Sequence, residues 1–397
     1  MRPGLGSTVN AVALAGFVRG YSRFPLWLLM SLFFAQVEHV SYFDIGLIFM
    51  GREFLAIPMG LYGGSLTDRM GRRRLMLFSV TISLASFSSM LILVYLNLSV
   101  ILILVAFYAA GLAASLQRVI NSAIISDVST ESQRISAFGR LRIFSNAGVG
   151  VGMVSAGLAY SYSIVLFFLV PVVGAFIELL VYGLFVHETA PARTVRRGRM
   201  TDGVTDWNLI KASVILAFSG LVAIMFLTPM FPLYFSEFDS LSPVRISILF
   251  ALNTVVVVLF QVPVNRIAER RGEVMVLSAG LIIYSICYLC FGILSDFYLV
   301  ALLVTLLSLG ENMVLPMGQA IISKMAPPER RGYYFGTFST VNGFIQPLGP
   351  IIGMSMLQIF VQEPFAIWVL LMAFGFINAL AVLSLRVRRK PSGSSAV

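Results

Sequence analysis

Apolar runs of about 20 residues recur along the whole chain, and each is long enough to cross a lipid bilayer as a helix. Polar and charged residues are concentrated in the short connections between these runs. Only 12% of the residues are charged, whereas a soluble domain averages about 25%. Because the apolar runs extend over the full length, the pattern predicts an all-α membrane protein whose main solvent is the lipid bilayer.

The apolar runs predict twelve transmembrane helices. The longest connection between them, residues 187–206, carries four arginines and divides the helices six and six. We therefore predict an N-terminal half over 1–186, a cytoplasmic linker over 187–206 and a C-terminal half over 207–397. The predicted helices are 10–36, 42–66, 75–96, 99–126, 135–159, 163–186, 208–235, 243–265, 274–295, 297–323, 332–359 and 364–385.

The formal net charge of +10 comes from arginine clusters that fall at every second connection. Excess arginine and lysine in alternate connections is typical of the cytoplasmic side of a membrane protein. We therefore expect a multi-pass protein of the cytoplasmic membrane with both termini in the cytoplasm. The clusters are short and separated by apolar runs, so they do not form a surface for nucleic acid. They lie at 69–74, 193–199, 266–271, 324–331 and 386–390.

An internal repeat relates the two predicted halves. Asp68, Arg69 and Gly71 recur as Glu269, Arg270 and Gly272, each at an offset of 201 residues. A second set of matches follows the fourth and tenth predicted helices at almost the same offset. It pairs Arg134, Phe138, Gly139 and Gly152 with Arg331, Phe335, Gly336 and Gly349. Two separate matches at nearly one offset predict a duplicated, pseudo-symmetric pair of six-helix halves.

The segment Gly64 to Arg74 resembles the G-x-x-x-D-R-x-G-R-R loop of the major facilitator superfamily, and it falls between the second and third helices as in that family. The resemblance covers the helix count, the central basic connection and the degenerate second copy. It implies a secondary transporter whose two halves rock about a midplane cavity. It also implies that the loop charges latch the cytoplasmic side when the cavity opens outward.

An alternative for this loop is that its arginines only set the topology, which would leave Asp68 without a role. The expected latch residues are Gly64, Asp68, Arg69, Gly71, Arg72, Asp127, Arg134, Glu269 and Arg270.

The fifth predicted helix carries regularly spaced glycines. They resemble the glycine-rich fifth-helix signature of proton-coupled drug antiporters, although Met153 and Ala156 replace a proline and a glycine of that signature. Small residues four apart also allow close packing between any two membrane helices, so both interpretations stay open. The predicted packing residues are Gly148, Gly152 and Gly157, with Gly349, Pro350 and Gly353 in the second half.

Several arginines lie deep inside apolar runs, where a charge costs several kcal/mol unless it faces a cavity or a partner. Arg118, for example, precedes Asp127 by nine residues, which places it about 13 Å along its helix. A guanidinium keeps its proton, so these side chains could receive an anionic or zwitterionic solute. The alternative is that they only form ion pairs with Glu53 and Glu178. The predicted substrate-binding residues are Arg19, Arg23, Arg52, Arg118, Gln117, Asn342 and Gln346.

Three glutamates lie deep enough to serve in proton coupling, which requires a buried acid that changes its protonation state. Glu311 is the first candidate because its half has no other deep charge, and Glu53 is the second. For Glu53 and Glu178, structural pairing with arginines is the alternative.

The chain carries no pattern typical of an enzyme, a metal site or a cofactor. His39 and His187 lie in connections on opposite sides, and no phosphate-binding G-x-x-x-x-G-K-[ST] is present. We therefore predict a monomeric, proton-coupled transporter of a small organic anion or zwitterion, without cofactor or metal. One alternative is a multidrug/proton efflux antiporter. An alternative from another class is a membrane sensor that binds its ligand without transporting it.

Overall fold

The computed structural model describes residues 5–189, 206–327 and 330–385, and all regular elements in these ranges are helical. A π-helical turn, Phe33–Val37, extends α1, and a 3-10 turn, Met225–Leu227, follows α7. The helices are α1 (Leu5–Leu32), α2 (Tyr42–Met70), α3 (Arg72–Tyr95), α4 (Val100–Val128), α5 (Glu131–Tyr162), α6 (Ile164–Phe185), α7 (Trp207–Ile224), α8 (Met230–Glu237), α9 (Pro243–Arg271), α10 (Glu273–Phe291), α11 (Phe297–Met325), α12 (Arg331–Ile345), α13 (Leu348–Ile359) and α14 (Phe365–Leu383).

Nine helices in the described ranges are long and apolar enough to cross a membrane, or ten if the bent helix α2 counts as one span. The all-helical class and the multi-pass membrane location are therefore confirmed. The twelve crossings and the cytoplasmic position of both termini stay predictions. Most of the predicted linker lies outside the described residues. The structure describes only its residues 187–189 and 206.

Two predicted helices are each interrupted in the structure. Segment 208–235 becomes α7 and α8, separated by the 3-10 turn and by Thr228 and Pro229. Segment 332–359 becomes α12 and α13, separated by Gln346 and Pro347. A proline has no N–H to donate and its ring clashes with the carbonyl one turn earlier, which explains breaks at these positions. In membrane proteins such breaks occur where neighbouring groups satisfy the freed backbone.

The described residues divide into two compact units. The first contains the described parts of Met1–Arg197 together with Leu227–Val258 and Pro350–Ile359. The second contains the described parts of Gly198–Phe226, Leu259–Gly349 and Phe360–Val397. This division reflects packing in the structure, and the boundary between halves at 187–206 stays a prediction.

Within the first unit, α1 crosses α5 at very short range. A Cβ atom on Gly148 would lie 2.9 Å from the carbonyl carbon of Phe17, and one on Gly152 would lie 2.6 Å from the Cα of Tyr21. Only glycine permits this approach between two helix backbones. The contact fixes the rotation of α1, and therefore which neighbours Arg19 and Arg23 meet.

Candidate functional site

Arg19 and Arg23 both bind one carboxylate inside the first unit. The Nη2 of Arg23 lies 2.9 Å from Oε2 of Glu178, and the Nη2 of Arg19 lies 3.3 Å from the same oxygen. Glu178 is completely buried, and Arg23 is 8% exposed. A buried ion pair requires additional hydrogen bonds to offset the desolvation of its charges.

Polar side chains from α3 and α4 provide such bonds to Arg23. Its Nη1 donates to Oε1 of Gln117 at 2.6 Å and to Oγ of Ser83 at 3.3 Å. The Nε2 of Gln117 in turn donates to the Ser83 hydroxyl at 3.1 Å. The guanidinium also lies 5.4 Å from the ring centroid of Phe87, within cation–π distance. Together with Glu178 on α6, these contacts hold Arg23 from three neighbouring helices.

Arg19 has a second chain of bonds. Its Nη2 donates to the hydroxyl of Tyr182 at 3.1 Å, and that hydroxyl donates to Oδ1 of Asn121 at 2.6 Å. Together these residues form the buried network, which we define as Arg19, Arg23, Ser83, Gln117, Asn121, Glu178 and Tyr182.

Residue spacing explains why the buried network assembles. Three helices each contribute two polar residues four positions apart, which places both on one helix face. The pairs are Arg19 and Arg23 on α1, Gln117 and Asn121 on α4, and Glu178 and Tyr182 on α6. Ser83, Asn121 and Tyr182 were not among the predicted site residues, although the spacing of the last two from Gln117 and Glu178 could have identified them.

The buried network contains two guanidinium groups but one carboxylate. Loss of the Glu178 charge would therefore leave two buried cations without their common partner, at a cost of several kcal/mol. The Nε atoms of both arginines and Oε1 of Glu178 are buried and have no hydrogen bond within the described part of the chain. Arg23, Gln117 and Glu178 thus lie in the interior of the bundle in this conformation.

Arg52 and Arg118 have different surroundings. The Nη1 of Arg52 lies 2.7 Å from Oε1 of the adjacent Glu53, and its guanidinium lies 5.3 Å from the ring centroid of Phe107. Arg118 is exposed, and its Nη2 donates to Oγ of Ser115 at 2.9 Å. Among the described side chains, no carboxylate oxygen lies within 4.0 Å of Arg118. Arg52 and Arg118 are close enough to repel each other electrostatically.

Arg118 belongs to a polar stripe on α4. Ser115, Arg118, Ser122 and Ser126 follow each other at spacings of three and four residues, so they share one helix face. Ser122 is exposed like Arg118, and the helix as a whole is apolar enough to span a membrane. An exposed charge and hydroxyl in the middle of such a helix indicate a face that lines a water-filled space.

In the second unit, Glu311 lies on α11 and is 9% exposed. Tyr284 and Tyr288 of α10 lie within electrostatic range of it. The hydroxyl of Tyr284 donates to the carbonyl of Ala223 at 3.1 Å, and that of Tyr288 donates to the carbonyl of Val222 at 2.5 Å. These carbonyls lie just before α7 ends, so the two tyrosines satisfy backbone groups beside the helix break.

Asn342 and Gln346, also predicted to bind substrate, lie in α12 and at the break after it. Oδ1 of Asn342 is buried without a hydrogen bond to any described group. Gln346 lies against α7, where a Cβ on Gly220 would be 2.6 Å from its Nε2. In the described parts of the chain, no cluster of three or more His, Cys, Asp or Glu residues could hold a metal ion.

A model of the Major Facilitator Superfamily matches residues 12–240 and 213–396, which is nearly the whole chain. The chain belongs to the major facilitator superfamily. This confirms the resemblance drawn from the loop at Gly64 to Arg74, and it places the chain in a family of membrane transporters rather than in an enzyme class.

Two curated relatives within the superfamily are antiporters or resistance proteins by name. A Na(+), Li(+), K(+)/H(+) antiporter of Planococcus maritimus is 26% identical over 341 residues, which cover 76% of this chain and 80% of the relative. Multidrug resistance protein MdtH of Salmonella typhimurium is 24% identical over 384 residues, covering 94% and 91%.

Solved transporters share the superfamily fold at low identity. The peptide transporter POT in complex with sulfate is 15% identical with a TM-score of 0.77, covering 95% of this chain and 94% of that one. A mutant of the nucleoside transporter NupG is 16% identical with a TM-score of 0.76, covering 95% and 99%. These likenesses establish the fold.

The superfamily loop between α2 and α3 is held by ion pairs in this structure. Nη1 of Arg72 lies 2.7 Å from Oδ1 of Asp68, and its Nε lies 3.0 Å from Oδ2 of Asp127. Arg134 donates to the backbone carbonyl of Ser126 at 3.3 Å. The structure thus brings together Asp68, Arg72 and Asp127 among the predicted latch residues. Arg69, Glu269 and Arg270 are exposed, and Gly64 is half-buried.

The predicted packing residues of the second half lie on α13. A Cβ on Gly353 would be 3.1 Å from the Cβ of Met230, and the Pro350 carbonyl would be 3.3 Å from a Cβ on Gly46. Gly349 is the second residue of α13. The contacts of Gly353 and Pro350 lie within the first compact unit, where small residues let α13 approach α2 and α8.

Proposed function

We propose that this chain is a secondary active transporter that moves a small organic anion or zwitterion by alternating access, with proton coupling. The observation that carries the substrate class is Arg118, an exposed guanidinium on an apolar helix without a carboxylate partner among the described side chains. A guanidinium binds carboxylate or phosphate oxygens through two parallel hydrogen bonds. Arg52, which pairs with Glu53, adds a second guanidinium within electrostatic range of Arg118.

The buried network has another role in this proposal. Its hydrogen bonds and ion pairs join α1, α3, α4 and α6, so it keeps these helices together as they move. Arg19, Arg23 and Gln117, which we predicted to bind substrate, support the bundle in this conformation. The anion site therefore centres on Arg118 and Arg52.

For proton coupling, Glu311 remains the first candidate. Glu178 is bound by two arginines and Glu53 by one, so both carboxylates also have a structural role. Glu311 is buried on α11 and lies within electrostatic range of two tyrosine hydroxyls. A buried acid of this kind is the type of group that changes protonation when its access to water changes.

The proposal includes the topology predicted from the sequence. Twelve crossings, both termini in the cytoplasm and two halves joined through 187–206 follow from the alternating arginine clusters and the internal repeat. We propose that the transporter works as a monomer in the lipid bilayer.

The test is flux into proteoliposomes, with Arg118→Ala as the diagnostic variant and Arg142→Ala as its control. Arg142 is also exposed, but it lies on α5. We expect saturable uptake of organic anions under an inward proton gradient, lost in Arg118→Ala, reduced in Arg118→Lys and retained in Arg142→Ala. Loss of the paired hydrogen-bond geometry explains the expected defect of the lysine variant. Anion flux that is unchanged in Arg118→Ala would refute the site.

A second candidate is a multidrug or cation/proton efflux antiporter. The names of the two relatives favour it, as do the closely packed glycines of α5. In this case lipophilic or alkali cations would exchange against protons, and Arg118→Ala would not alter their apparent KM. The sensor alternative requires ligand binding without flux, so binding and flux measured on the same preparation distinguish all three functions.

A further inference from the structure

Two helices in equivalent positions of the repeat begin in the same unusual way. Gly71 precedes α3 with φ of 86°, and Gly272 precedes α10 with φ of 94°. Because both N-cap residues are glycines, neither helix has an N-cap side chain that could accept a hydrogen bond from its first amides. The first residue of α10 is Glu273, an acid, whereas α3 begins with Arg72 and has no acid in its first turn.

This difference in charge matters because the N-terminus of a helix carries partial positive charge and unpaired N–H groups. An acid there is favourable and a cluster of arginines is unfavourable. In α3 the missing acid is replaced by Glu188, which follows α6. Its Oε1 accepts from the N–H of Arg72 at 2.8 Å, and its Oε2 accepts from the N–H of Arg73 at 3.2 Å.

The space beside the two glycines shows the same contrast. A Cβ on Gly71 would lie 2.5 Å from Oε2 of Glu188, whereas one on Gly272 would have no described atom within 4 Å. The carboxylate of Glu188 therefore occupies a position that no described group fills in the second half.

The ion pairs beside the two glycines have their acid and their base in opposite positions. Arg72 pairs with Asp127 near the end of α4, with Nε and Oδ2 3.0 Å apart. Glu273 pairs with Lys324 near the end of α11, with Oε1 and Nζ 2.6 Å apart. In each pair the first residue starts a helix and the second lies one residue before the end of the following helix. The acid and the base of these two pairs are thus in opposite order.

We infer that Glu188 is a positioning residue: it supplies, from the start of the predicted linker, the acid that the second half carries at Glu273. By binding the first amides of α3, Glu188 holds Arg72 where it reaches Asp68 and Asp127. The adjacent Thr189 hydroxyl lies 3.3 Å from Oδ2 of Asp127, so the linker start contacts both sides of this cluster. The contribution of Glu188 to transport rests on the proposed function, whereas its structural role does not.

The direct test is hydrogen exchange of the protein in detergent or nanodiscs. In Glu188→Gln we expect the amides of Arg72 and Arg73 to exchange about tenfold faster, because a charge-assisted acceptor becomes a neutral one. Glu363→Gln, an exposed acid outside this cluster, is the control and should leave these amides unchanged. Unchanged exchange in Glu188→Gln would overturn the inference.

A charge exchange provides the decisive second variant. Arg72→Glu combined with Asp127→Lys copies the arrangement of Glu273 and Lys324 into the first half. In that background we expect Glu188→Gln to cause no further increase in exchange and no further loss of flux. An equal increase in both backgrounds would show that Glu188 does not replace a missing acid. Exchange decides this point even if the protein shows no flux, so failure of the transport proposal stays distinguishable.

A glycine comparison covers the case in which the charge-exchanged protein does not fold. Gly71→Ala and Gly272→Ala carry the same strain from a positive φ, but only the former would displace Glu188. Each substitution should speed amide exchange at the first turn of the helix that follows it. We expect the increase in exchange rate at α3 in Gly71→Ala to be larger than the increase at α10 in Gly272→Ala. Equal effects would contradict the inference.

Discussion

Arg52 fills the space that a side chain at Gly111 would need: a Cβ built on Gly111 would lie 2.9 Å from both Cγ and Nε of the arginine. Gly111→Ala should therefore displace Arg52 from the surface of α4, where its guanidinium faces Phe107. We expect a loss of about 1–3 kcal/mol in the free energy of unfolding from overpacking, and weaker binding of organic anions.

The measurement for Gly111→Ala is thermal unfolding with and without the anion that stabilises the native protein most. Gly60→Ala is the matched control, because Gly60 lies on α2, the helix that carries Arg52, and a Cβ there meets no described atom within 4 Å. An alanine at position 111 that leaves anion stabilisation unchanged would show that the position of Arg52 is not important for binding.

The buried network predicts a ranked series of stability losses. Glu178→Gln should cost about 3–5 kcal/mol, because it leaves two buried guanidinium groups without a carboxylate. Arg19→Gln should cost less, because one arginine still pairs with Glu178 and the side chain of Arg19 is 19% exposed.

Chemical denaturation in mixed micelles can measure this series. Ser65→Ala, on the exposed side of α2, is the control and should lie within about 0.5 kcal/mol of the native protein. A larger loss in Arg19→Gln than in Glu178→Gln would contradict the view that Glu178 is the common partner.

We predict a pH dependence of stability from the buried carboxyl of Asp239, which lies in the connection between α8 and α9. Burial raises the pKa of its carboxyl from 3.8 to about 6, and among the described residues its Oδ2 has no hydrogen-bond partner. Between these values the folded protein binds a proton that the unfolded chain does not, so this group makes the protein less stable as pH rises from about 4 to about 7. Asp239→Asn should remove that contribution and raise Tm at about pH 8.

The Asp239 prediction is checked by Tm as a function of pH for the native protein and the variant. Glu363→Gln serves as the control for loss of one exposed acid. The two curves should coincide near pH 4, separate as pH rises from about 4 to about 6, the pKa of the buried carboxyl, and stay a constant distance apart above about pH 7. A difference in Tm between the two proteins that grows toward low pH would contradict a raised pKa of Asp239.

Much of the fold could be predicted from the sequence because apolar length and arginine placement act locally. The predicted segment 297–323 is α11 (Phe297–Met325), and 163–186 is α6 (Ile164–Phe185). The breaks after α7 and α12 were not predicted, because prolines are tolerated within other helices here, such as Pro171 in α6. A break depends on whether neighbours can satisfy the freed carbonyls, as Tyr284 and Tyr288 do beside α7.

The site was harder to predict than the fold because it depends on helix rotation. Arg19 and Arg118 looked equivalent in sequence, since both lie deep in apolar runs. In the structure Arg19 faces α6 and forms an ion pair with Glu178, whereas Arg118 is exposed. The rotation of α1 follows from its contact with Gly148 and Gly152, which involves residues more than a hundred positions away.

Gly157 provides a test of close helix packing that can be reversed. A Cβ there would lie 2.7 Å from the Cβ of Ser247 and 2.9 Å from the carbonyl oxygen of Pro243. Gly157→Ala should therefore lower the free energy of unfolding by about 1–3 kcal/mol. Adding Ser247→Gly removes the side chain in the way and should recover part of that loss, as measured by a double-mutant cycle.

Gly139→Ala, where a Cβ meets no described atom within 4 Å, is the control. Strict additivity of the two substitutions would mean that α5 and α9 do not meet at this point.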